Sequence, residues 1–188
     1  MGGRPKALLP LGSGQTFISH IVRAFLDAGV DDVVVVLGHE ADAVALALTR
    51  DVALARLVVN HQYLTGQFSS VLRGLDAIDR PGVTAMLMTL VDVPLVSSST
   101  IRAVVQHFRE TGAPVVRPVR GSEHGHPVLI ARSLFDLLRR ADPATGAKPV
   151  VRAHVSLAGD VVVDDDGAFR DIDTEEEYAR LVAESRGH

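Results

Sequence analysis

Asp92 is the residue whose position most directly suggests chemistry. It follows residues 85–91, a strongly apolar, strand-like run, and Pro94 then prevents the strand from continuing. A carboxylate at the end of a buried strand lies at the sheet edge where open α/β sheets bind ligands, and there it can hold a divalent cation. A turn or helix-entry aspartate would show the same spacing, so both interpretations stay open.

A second pair of acids comes late in the chain, in the run Asp171-Ile172-Asp173-Thr174. Acids that alternate in an extended segment point to opposite sides, so only one of them can face Asp92. The competing interpretation is that both acids offset the dipole of the helix predicted to begin at Thr174. The run of three acids and a glycine at residues 164–167 has the composition of a solvated turn, and we expect no role for it.

Glycines and cations open the chain. Gly2 and Gly3 precede Arg4 and Lys6, and backbone amides beside cationic side chains can bind phosphates. A solvated chain terminus is the alternative interpretation.

Two further segments combine glycine with polar side chains. Gly66 precedes Ser69 and Ser70 at a loop–helix junction, which offers hydroxyls and free amides to a polar ligand or simply caps the helix. Gly125-His126-Pro127 permits close approach of the backbone to a ligand, and His126 can supply a structural or a substrate hydrogen bond. His124 and His126 lie two positions apart, but no cysteine or third ligand accompanies them, so a zinc site is not expected there.

Alternating strands and helices position these residues. Short apolar runs at residues 32–37, 56–59, 85–91, 114–118 and 128–131 predict strands, and residues 16–29, 40–49, 68–78, 97–110 and 174 onward predict helices. This alternation is typical of strand–helix–strand units around a mostly parallel sheet. With 188 residues and no linker or repeat, we expect one α/β domain over residues 1–188.

Composition excludes several classes of protein. The chain has no cysteine, which excludes disulfides and thiolate chemistry, and only 4% aromatic residues with no Trp, which disfavours stacking on single-stranded nucleic acid. A net charge of −4 predicts no nucleic-acid partner, and the absence of a long apolar run predicts no membrane partner. Without a leader pattern, a cytoplasmic protein is expected.

These motifs, taken in order, resemble the MobA-like nucleotidyltransferases, and among them the molybdenum cofactor cytidylyltransferases. That family reads LAAGxSxRMGxxK followed by LLPL, then an Asn before GxxSSLxxGL, a strand ending DQP, GHPVLF, GDxGAR and DIDTPEDY. The chain has MGGRPKALLPLG, Asn60 before GQFSSVLRGL, LVDVP, GHPVLI, ATGAK and DIDTEEEY. The resemblance extends from Met1 to about Tyr178 and implies a three-layer, Rossmann-like nucleotidyltransferase fold of the GT-A type.

The chain departs from the family pattern in three places. The LAAGxSxR segment, which carries the first strand and most of the phosphate-binding glycine loop, does not precede Met1, so we expect a late start codon or a truncation. The DQP motif is Asp92-Val93-Pro94, which keeps the acid and loses the amide. The GDxGAR motif is replaced by residues 143–148, which lack the family's acid.

The resemblance implies transfer of CMP from CTP to the phosphate of molybdopterin, with release of pyrophosphate. It implies Mg²⁺, with Mn²⁺ as a substitute, held by Asp92 and Asp173, with Asp171 as the fallback ligand. The remaining implied roles are triphosphate and pyrophosphate binding by Lys6, nucleotide binding by Gly2, Gly3 and Ser70, and acceptor binding by Gly125, His126 and Pro127.

Three alternatives stay open at this point. One is a guanylyltransferase, and another is a different small-acceptor nucleotidyltransferase of the same family. The third is a non-catalytic homologue that carries finished cofactor to a molybdoenzyme or regulates one. For the enzyme itself, a molybdoenzyme is the expected recipient of the product.

Overall fold

The computed structural model of the chain describes residues 5–11, 14–51 and 54–186. Within these ranges the helices are α1 (Phe17–Asp27), α2 (Ala41–Asp51), α3 (Gln67–Ile78), α4 (Ser98–Thr111), α5 (Phe135–Arg139), α6 (Lys148–His154) and α7 (Glu175–Arg186). The strands are β1 (Pro10–Leu11), β2 (Gln15–Thr16), β3 (Val34–Leu37), β4 (Arg56–Val59), β5 (Ala85–Met88), β6 (Val115–Arg120), β7 (Glu123–His124), β8 (Val128–Ala131) and β9 (Asp160–Val162). No helix in these ranges is long and apolar enough to cross a membrane.

Local sequence signals set the ends of α1. The Thr16 hydroxyl accepts a hydrogen bond from the Ser19 amide at 3.3 Å, and the Ser19 hydroxyl accepts one from the Thr16 amide at 2.8 Å. This reciprocal pair satisfies two amides that the first turn leaves free. Gly29 follows the helix with a φ of +81°, a conformation that glycine adopts without strain. The helix predicted between Thr16 and Gly29 is therefore confirmed.

The strands pair in both parallel and antiparallel orientations. β3 and β4 pair in parallel, with Val34 opposite Arg56. β8 runs antiparallel to both β5 and β6, whereas β9 adds to β6 in parallel and β7 pairs with β6 as a short hairpin.

Helices cover both faces of these strands. On one face Met86, Val115 and Ile130 pack in one cluster with the buried residues of α3 and α5. On the other face Val116 and Leu129 pack with Val104 of α4. Side chains alternate between the faces along each strand, so both faces of the sheet are apolar and buried. The structure is an α/β fold, as the alternation of strands and helices predicts, and it has the three layers that the resemblance implies.

β5 is shorter than the predicted strand. It ends at Met88, whereas the apolar run continues to Val91. Met88 lies opposite Val128, and the next residue of the partner strand is Pro127, which has no N–H to donate. Residues 89–91 therefore leave the ladder before the chain turns at Asp92.

A long groove separates β3 from β5. Its volume is about 1070 Å³, and its lining includes residues 31–36 and 82–91 together with side chains of α1 and α3. In the described part of the chain, β3 pairs with β4 and β5 pairs with β8. The edges that these strands turn toward the groove therefore have no ladder partner there.

Asp165 has a structural role that the sequence did not indicate. Its carboxylate accepts hydrogen bonds from the Ser97 amide at 3.0 Å, the Ser97 hydroxyl at 2.7 Å, the Thr100 hydroxyl at 2.6 Å and the Gly167 amide at 3.0 Å. Ser97 is the N-cap of α4, so Asp165 joins the start of that helix to the segment before Arg170. The expectation that residues 164–167 are only a solvated turn is wrong, because Asp165 anchors that turn.

Replacing Asp165 with alanine is expected to destabilise the protein by about 2 kcal/mol, since four hydrogen bonds are lost, two of them from the N-cap residue Ser97. For a chain of this size that lowers Tm by roughly 4–8 °C. Asp164→Ala, at the exposed neighbouring position, is the matched control and should leave Tm unchanged. Equal Tm values for both variants in calorimetry would contradict the anchoring role.

The same carboxylate predicts a pH dependence of stability. Burial raises the pKa of Asp165, but the hydrogen bonds from Thr100, Ser97 and Gly167 outweigh it and hold the pKa below its usual value. The stabilisation is complete above the unfolded-state pKa of about 4 and is lost as the pH falls through the lower folded-state pKa. The stability difference between wild type and Asp165→Ala should therefore shrink below about pH 4.

Candidate active site

Asp92 lies on a tight turn that buried neighbours hold in place. Val93 is fully buried, and its amide donates to the Leu90 carbonyl at 3.2 Å. The Asp92 Oδ1 atom is also buried, and no described group donates a hydrogen bond to it. Since a buried carboxylate oxygen without a partner costs free energy, its position favours a bound ligand or cation.

A backbone hydrogen bond places the late acids beside Asp92. The Ile172 amide donates to the Asp92 carbonyl at 2.7 Å, and the Ile172 side chain is fully buried in the core cluster of Leu9, Phe17 and Leu181. Ile172 thereby anchors an extended segment, and Asp171 and Asp173 flank it. The structure brings both acids to the end of β5.

The charges of these acids interact. Burial raises the pKa of Asp171, and the negative charge of Asp92 raises it further, with a smaller contribution from Asp173. Nearby His126 and Lys6 oppose the shift. A cation bound between two carboxylates reduces the electrostatic repulsion between their negative charges.

A capping box fixes the segment that carries Asp173. The Glu177 carboxylate accepts hydrogen bonds from the amides of Asp173 and Thr174, both at 2.8 Å. In return the Glu177 amide donates to the Thr174 hydroxyl at 3.2 Å. The helix start predicted at Thr174 is confirmed, and it restrains the backbone next to the site.

Lys6 reaches the same cluster from the start of the chain. It begins the 3-10 helix Lys6–Leu8, and its Nζ atom lies 2.8 Å from Asp173 Oδ1. The Tyr178 hydroxyl of α7 donates to the Pro10 carbonyl at 3.0 Å, which ties the early segment to the last helix. Gly2 and Gly3, predicted to bind phosphate, lie outside the described residues.

His126 contributes a partly buried ring to this cluster. Burial lowers its pKa, whereas the Met88 carbonyl and the charges of Asp171 and Asp92 act in the opposite direction, so the neutral imidazole is favoured. Its Nδ1 atom is buried and makes no hydrogen bond with a described group. His126 therefore offers a polar nitrogen to a ligand near the carboxylates.

Gly125 allows the segment before β8 to pack closely against the chain itself. The His126 amide donates to the Ala168 carbonyl at 2.8 Å, and a Cβ added to Gly125 would lie 2.4 Å from that same oxygen. Only glycine fits this contact. The structure shows that the backbone at Gly125 approaches Ala168 of the chain itself, and acceptor binding by Gly125, His126 and Pro127 stays a prediction.

Ser70 lies in the groove between β3 and β5, apart from the carboxylate cluster. It lines the groove from the first turns of α3, and its hydroxyl accepts a hydrogen bond from Asn60 Nδ2 at 3.0 Å. The Ser70 hydroxyl hydrogen can still be donated to a ligand. No described contact joins Ser70 to Asp92 or Lys6, so the structure does not bring it into the carboxylate cluster.

Asn60 organises the Ser70 region, a role the sequence reasoning did not assign. Its side chain is 5% exposed; it donates to the hydroxyls of Ser69 and Ser70 and accepts from the Gln62 amide at 2.9 Å. The sequence feature that could have indicated this role is the position of Asn60 directly after the predicted strand at residues 56–59. Asn60 also lines a pocket of about 360 Å³ together with Phe68 and Pro143, at the start of the divergent segment 143–148.

The acids fit a hard divalent cation held jointly with a substrate. Among the described residues, no three His, Asp or Glu side chains are arranged to hold a metal ion by themselves. Mg²⁺ and Mn²⁺ sites that act on phosphates need one or two carboxylates, and phosphate oxygens and waters complete the shell. The unpartnered Asp92 oxygen beside Asp173 and Asp171 matches that requirement.

Comparison with known proteins gives relatives over nearly the whole chain. The nicotine blue oxidoreductase of Paenarthrobacter nicotinovorans is 31% identical over 188 residues, which cover 97% of this chain and 90% of that protein. The structure of Rv0371c from Mycobacterium tuberculosis H37Rv has a TM-score of 0.79 and 28% identity, covering 96% of this chain and 90% of that one.

Two further similar structures are described by a bound metal or by an activity. A second structure of Rv0371c, in complex with manganese, covers 96% of this chain and 93% of that one at a TM-score of 0.73 and 28% identity. A nucleotidyl transferase from Methanothermobacter thermautotroptrophicus has a TM-score of 0.78 and 27% identity, covering 97% and 86% of the two chains. The family model described as the MobA-like NTP transferase domain matches residues 1–158. The chain therefore belongs to the MobA-like NTP transferase family.

Proposed function

We propose that the protein transfers CMP from CTP to the phosphate of a molybdopterin-type acceptor and releases pyrophosphate. The observation that carries the proposal is the cluster at the end of β5, where Asp92, whose buried Oδ1 atom has no described partner, lies near Asp171, Asp173, Lys6 and His126. Family membership supports the nucleotidyl transfer, and the GHPVLI segment with Ser70 supports the choice of cytidine and pterin.

The reaction needs positioning and charge neutralisation more than covalent catalysis. A phosphate oxygen of the acceptor attacks the α-phosphorus of CTP, the new P–O bond forms, and the bond to pyrophosphate breaks in line with it. Lys6 neutralises the leaving pyrophosphate, and His126 with Pro127 contacts the acceptor. Asp92 and Asp173, or Asp171 in place of Asp173, would hold a divalent cation, which neutralises phosphate charge when bound.

The manganese complex of Rv0371c supports such a cation in a relative, and we propose Mg²⁺ or Mn²⁺ for this chain. We further propose that the protein is cytoplasmic. We also propose that the finished cofactor passes to a molybdoenzyme, because a molybdoenzyme is the protein that uses the pterin product.

The direct test is competition between CTP and GTP with molybdopterin as acceptor. We expect CTP to be preferred by about ten- to a hundredfold, because a wrong base leaves a buried polar group unpaired at a cost of roughly 1–3 kcal/mol. Quantifying the two product dinucleotides by mass spectrometry measures the ratio. Ser70→Ala should reduce the preference for CTP, whereas Ser99→Ala on α4 should not.

The outcomes separate the alternatives. A preference for GTP would overturn the cytidylyl assignment and favour a guanylyltransferase. Tight binding of the finished cofactor without pyrophosphate release from either nucleotide would favour a carrier. The name of the Paenarthrobacter relative favours oxidoreductase chemistry as a further candidate. A protein-dependent redox change of nicotine blue supplied with a chemical reductant or oxidant, without pyrophosphate release from either nucleotide, would support that candidate.

A further inference from the structure

Lys6 and Asp173 are bound to each other, although the proposed mechanism assigns each to a different ligand. Lys6 is to bind the triphosphate and Asp173 the divalent cation, yet Lys6 Nζ lies 2.8 Å from Asp173 Oδ1. While this pair is intact, the charge of Lys6 weakens the attraction of Asp173 for a cation. In the same way, the charge of Asp173 repels phosphate from Lys6. Binding of either ligand therefore competes with the ion pair.

The backbone is fixed on both sides of this ion pair. The Leu9 amide donates to the Lys6 carbonyl at 3.1 Å, and Leu9 is buried in one core cluster with Ile172, the residue before Asp173. The Glu177 carboxylate accepts a hydrogen bond from the Asp173 amide at 2.8 Å. Because both backbone segments are anchored, a change of partner needs only a rotation of the Lys6 and Asp173 side chains.

The ion pair is also weak enough to be replaced. The Lys6 side chain is 25% exposed, and the Asp173 side chain is 61% exposed. Water and salt screen ion pairs of this exposure, so such pairs add little stability. A divalent cation on Asp173, or a triphosphate beside Lys6, carries more charge than the partner that it replaces. Either ligand can therefore break the pair.

The charge of Lys6 reaches acids beyond its own partner. Burial and the charge of Asp92 raise the pKa of Asp171, and Asp173 adds to this effect, whereas the charge of Lys6 lowers that pKa. Lys6 therefore offsets part of the repulsion among the three carboxylates. A bound divalent cation would act on these carboxylates in the same direction.

We propose that Lys6 takes the place of the divalent cation on Asp173, so that the cation and the triphosphate each make the site available to the other. A cation that binds Asp173 displaces the Lys6 ammonium, which is then free to bind phosphate. A triphosphate that draws Lys6 away leaves Asp173 free for the cation. The binding of the two ligands is therefore coupled, equally in both directions. The inference rests on the proposed roles of Lys6 and Asp173 and does not depend on the base or the acceptor.

Calorimetric titration with inorganic pyrophosphate in EDTA tests the ion pair in the absence of a divalent cation. Asp173→Asn frees Lys6 and is expected to raise the affinity for pyrophosphate about fivefold, the effect of releasing one partly exposed charge. Asp171→Asn is the matched control, because it removes the same charge from a neighbouring acid that makes no described hydrogen bond with Lys6. It should change the affinity by less than about twofold.

Binding of Mn²⁺ alone, followed by the electron paramagnetic resonance signal of the free ion, tests the other direction. Lys6→Met frees Asp173 and is expected to raise the affinity for Mn²⁺ about fivefold. In an Asp173→Asn background the same substitution should change the affinity by less than about twofold, because the pair is already broken. Arg152→Met, which removes an exposed cation on α6, should leave Mn²⁺ binding unchanged.

Two results would overturn the proposal. One is an equal gain in pyrophosphate affinity from Asp173→Asn and Asp171→Asn, because charge repulsion alone would then explain both. The other is an Mn²⁺ affinity that Lys6→Met leaves unchanged, a measurement that decides by itself if Asp173→Asn does not fold. A preference for GTP in the competition assay would overturn the cytidylyl assignment alone. Failure of every variant to bind pyrophosphate, with or without Mn²⁺, would overturn the nucleotidyl transfer and the coupling together.

Discussion

Asp92→Asn is expected to reduce nucleotidyl transfer by at least about a thousandfold, since it removes the charge that holds a cation against the phosphates. The Asp92 side chain makes no hydrogen bond through its buried Oδ1 atom, and its negative charge disfavours the ionised form of Asp171. The amide has the same shape, so the fold should persist and Tm should not fall. Initial rates of pyrophosphate release at saturating CTP and Mg²⁺, with Tm measured on the same samples, provide the comparison.

Asp164→Asn is the matched control for this prediction, because it removes one carboxylate from an exposed position. Its rate should equal that of the wild type. If Asp92→Asn unfolds, Asp92 is a structural residue. If it turns over at the normal rate with Mg²⁺, the cation is held elsewhere and the proposed mechanism fails.

Lys6→Met is expected to lower kcat/KM for the nucleoside triphosphate by about a hundredfold, the effect of losing one charge-assisted contact to a developing negative charge. The 2.8 Å ion pair between Lys6 and Asp173 is partly exposed, so its loss should cost at most about 1 kcal/mol of stability. Activity should therefore fall much further than stability. Steady-state kinetics and thermal unfolding of the same variant separate the two effects.

Arg152→Met serves as the control, since Arg152 is an exposed cation on α6. It changes the net charge by the same amount as Lys6→Met and should leave kcat/KM intact. A hundredfold loss in both variants would mean that overall charge, not contact by Lys6, attracts the triphosphate. An unchanged Lys6→Met enzyme would remove Lys6 from the site.

Neighbouring residues determined much of the fold by themselves. Capping pairs at Thr16 and Thr174 start their helices where the sequence predicts, because both partners lie within one helical turn. The strand at residues 56–59 also has the predicted limits. The position of Asp92 after a buried strand was also readable, since an apolar run and a following proline define that strand's end.

Only the tertiary structure decided which of these residues meet. Lys6 and Asp173 are 167 positions apart, and Asp165 is 68 positions from Ser97, so no local pattern encodes either contact. The partner of Gly125 proved to be Ala168, and β5 stopped at Met88 because Pro127 on another strand could not extend the ladder. The spacing of residue types along the sequence predicts only the interactions that form within one helix or strand. The candidate active-site cluster depends on backbone contacts between distant segments, such as that of Ile172 with Asp92, which form only when the sheet and its helices pack.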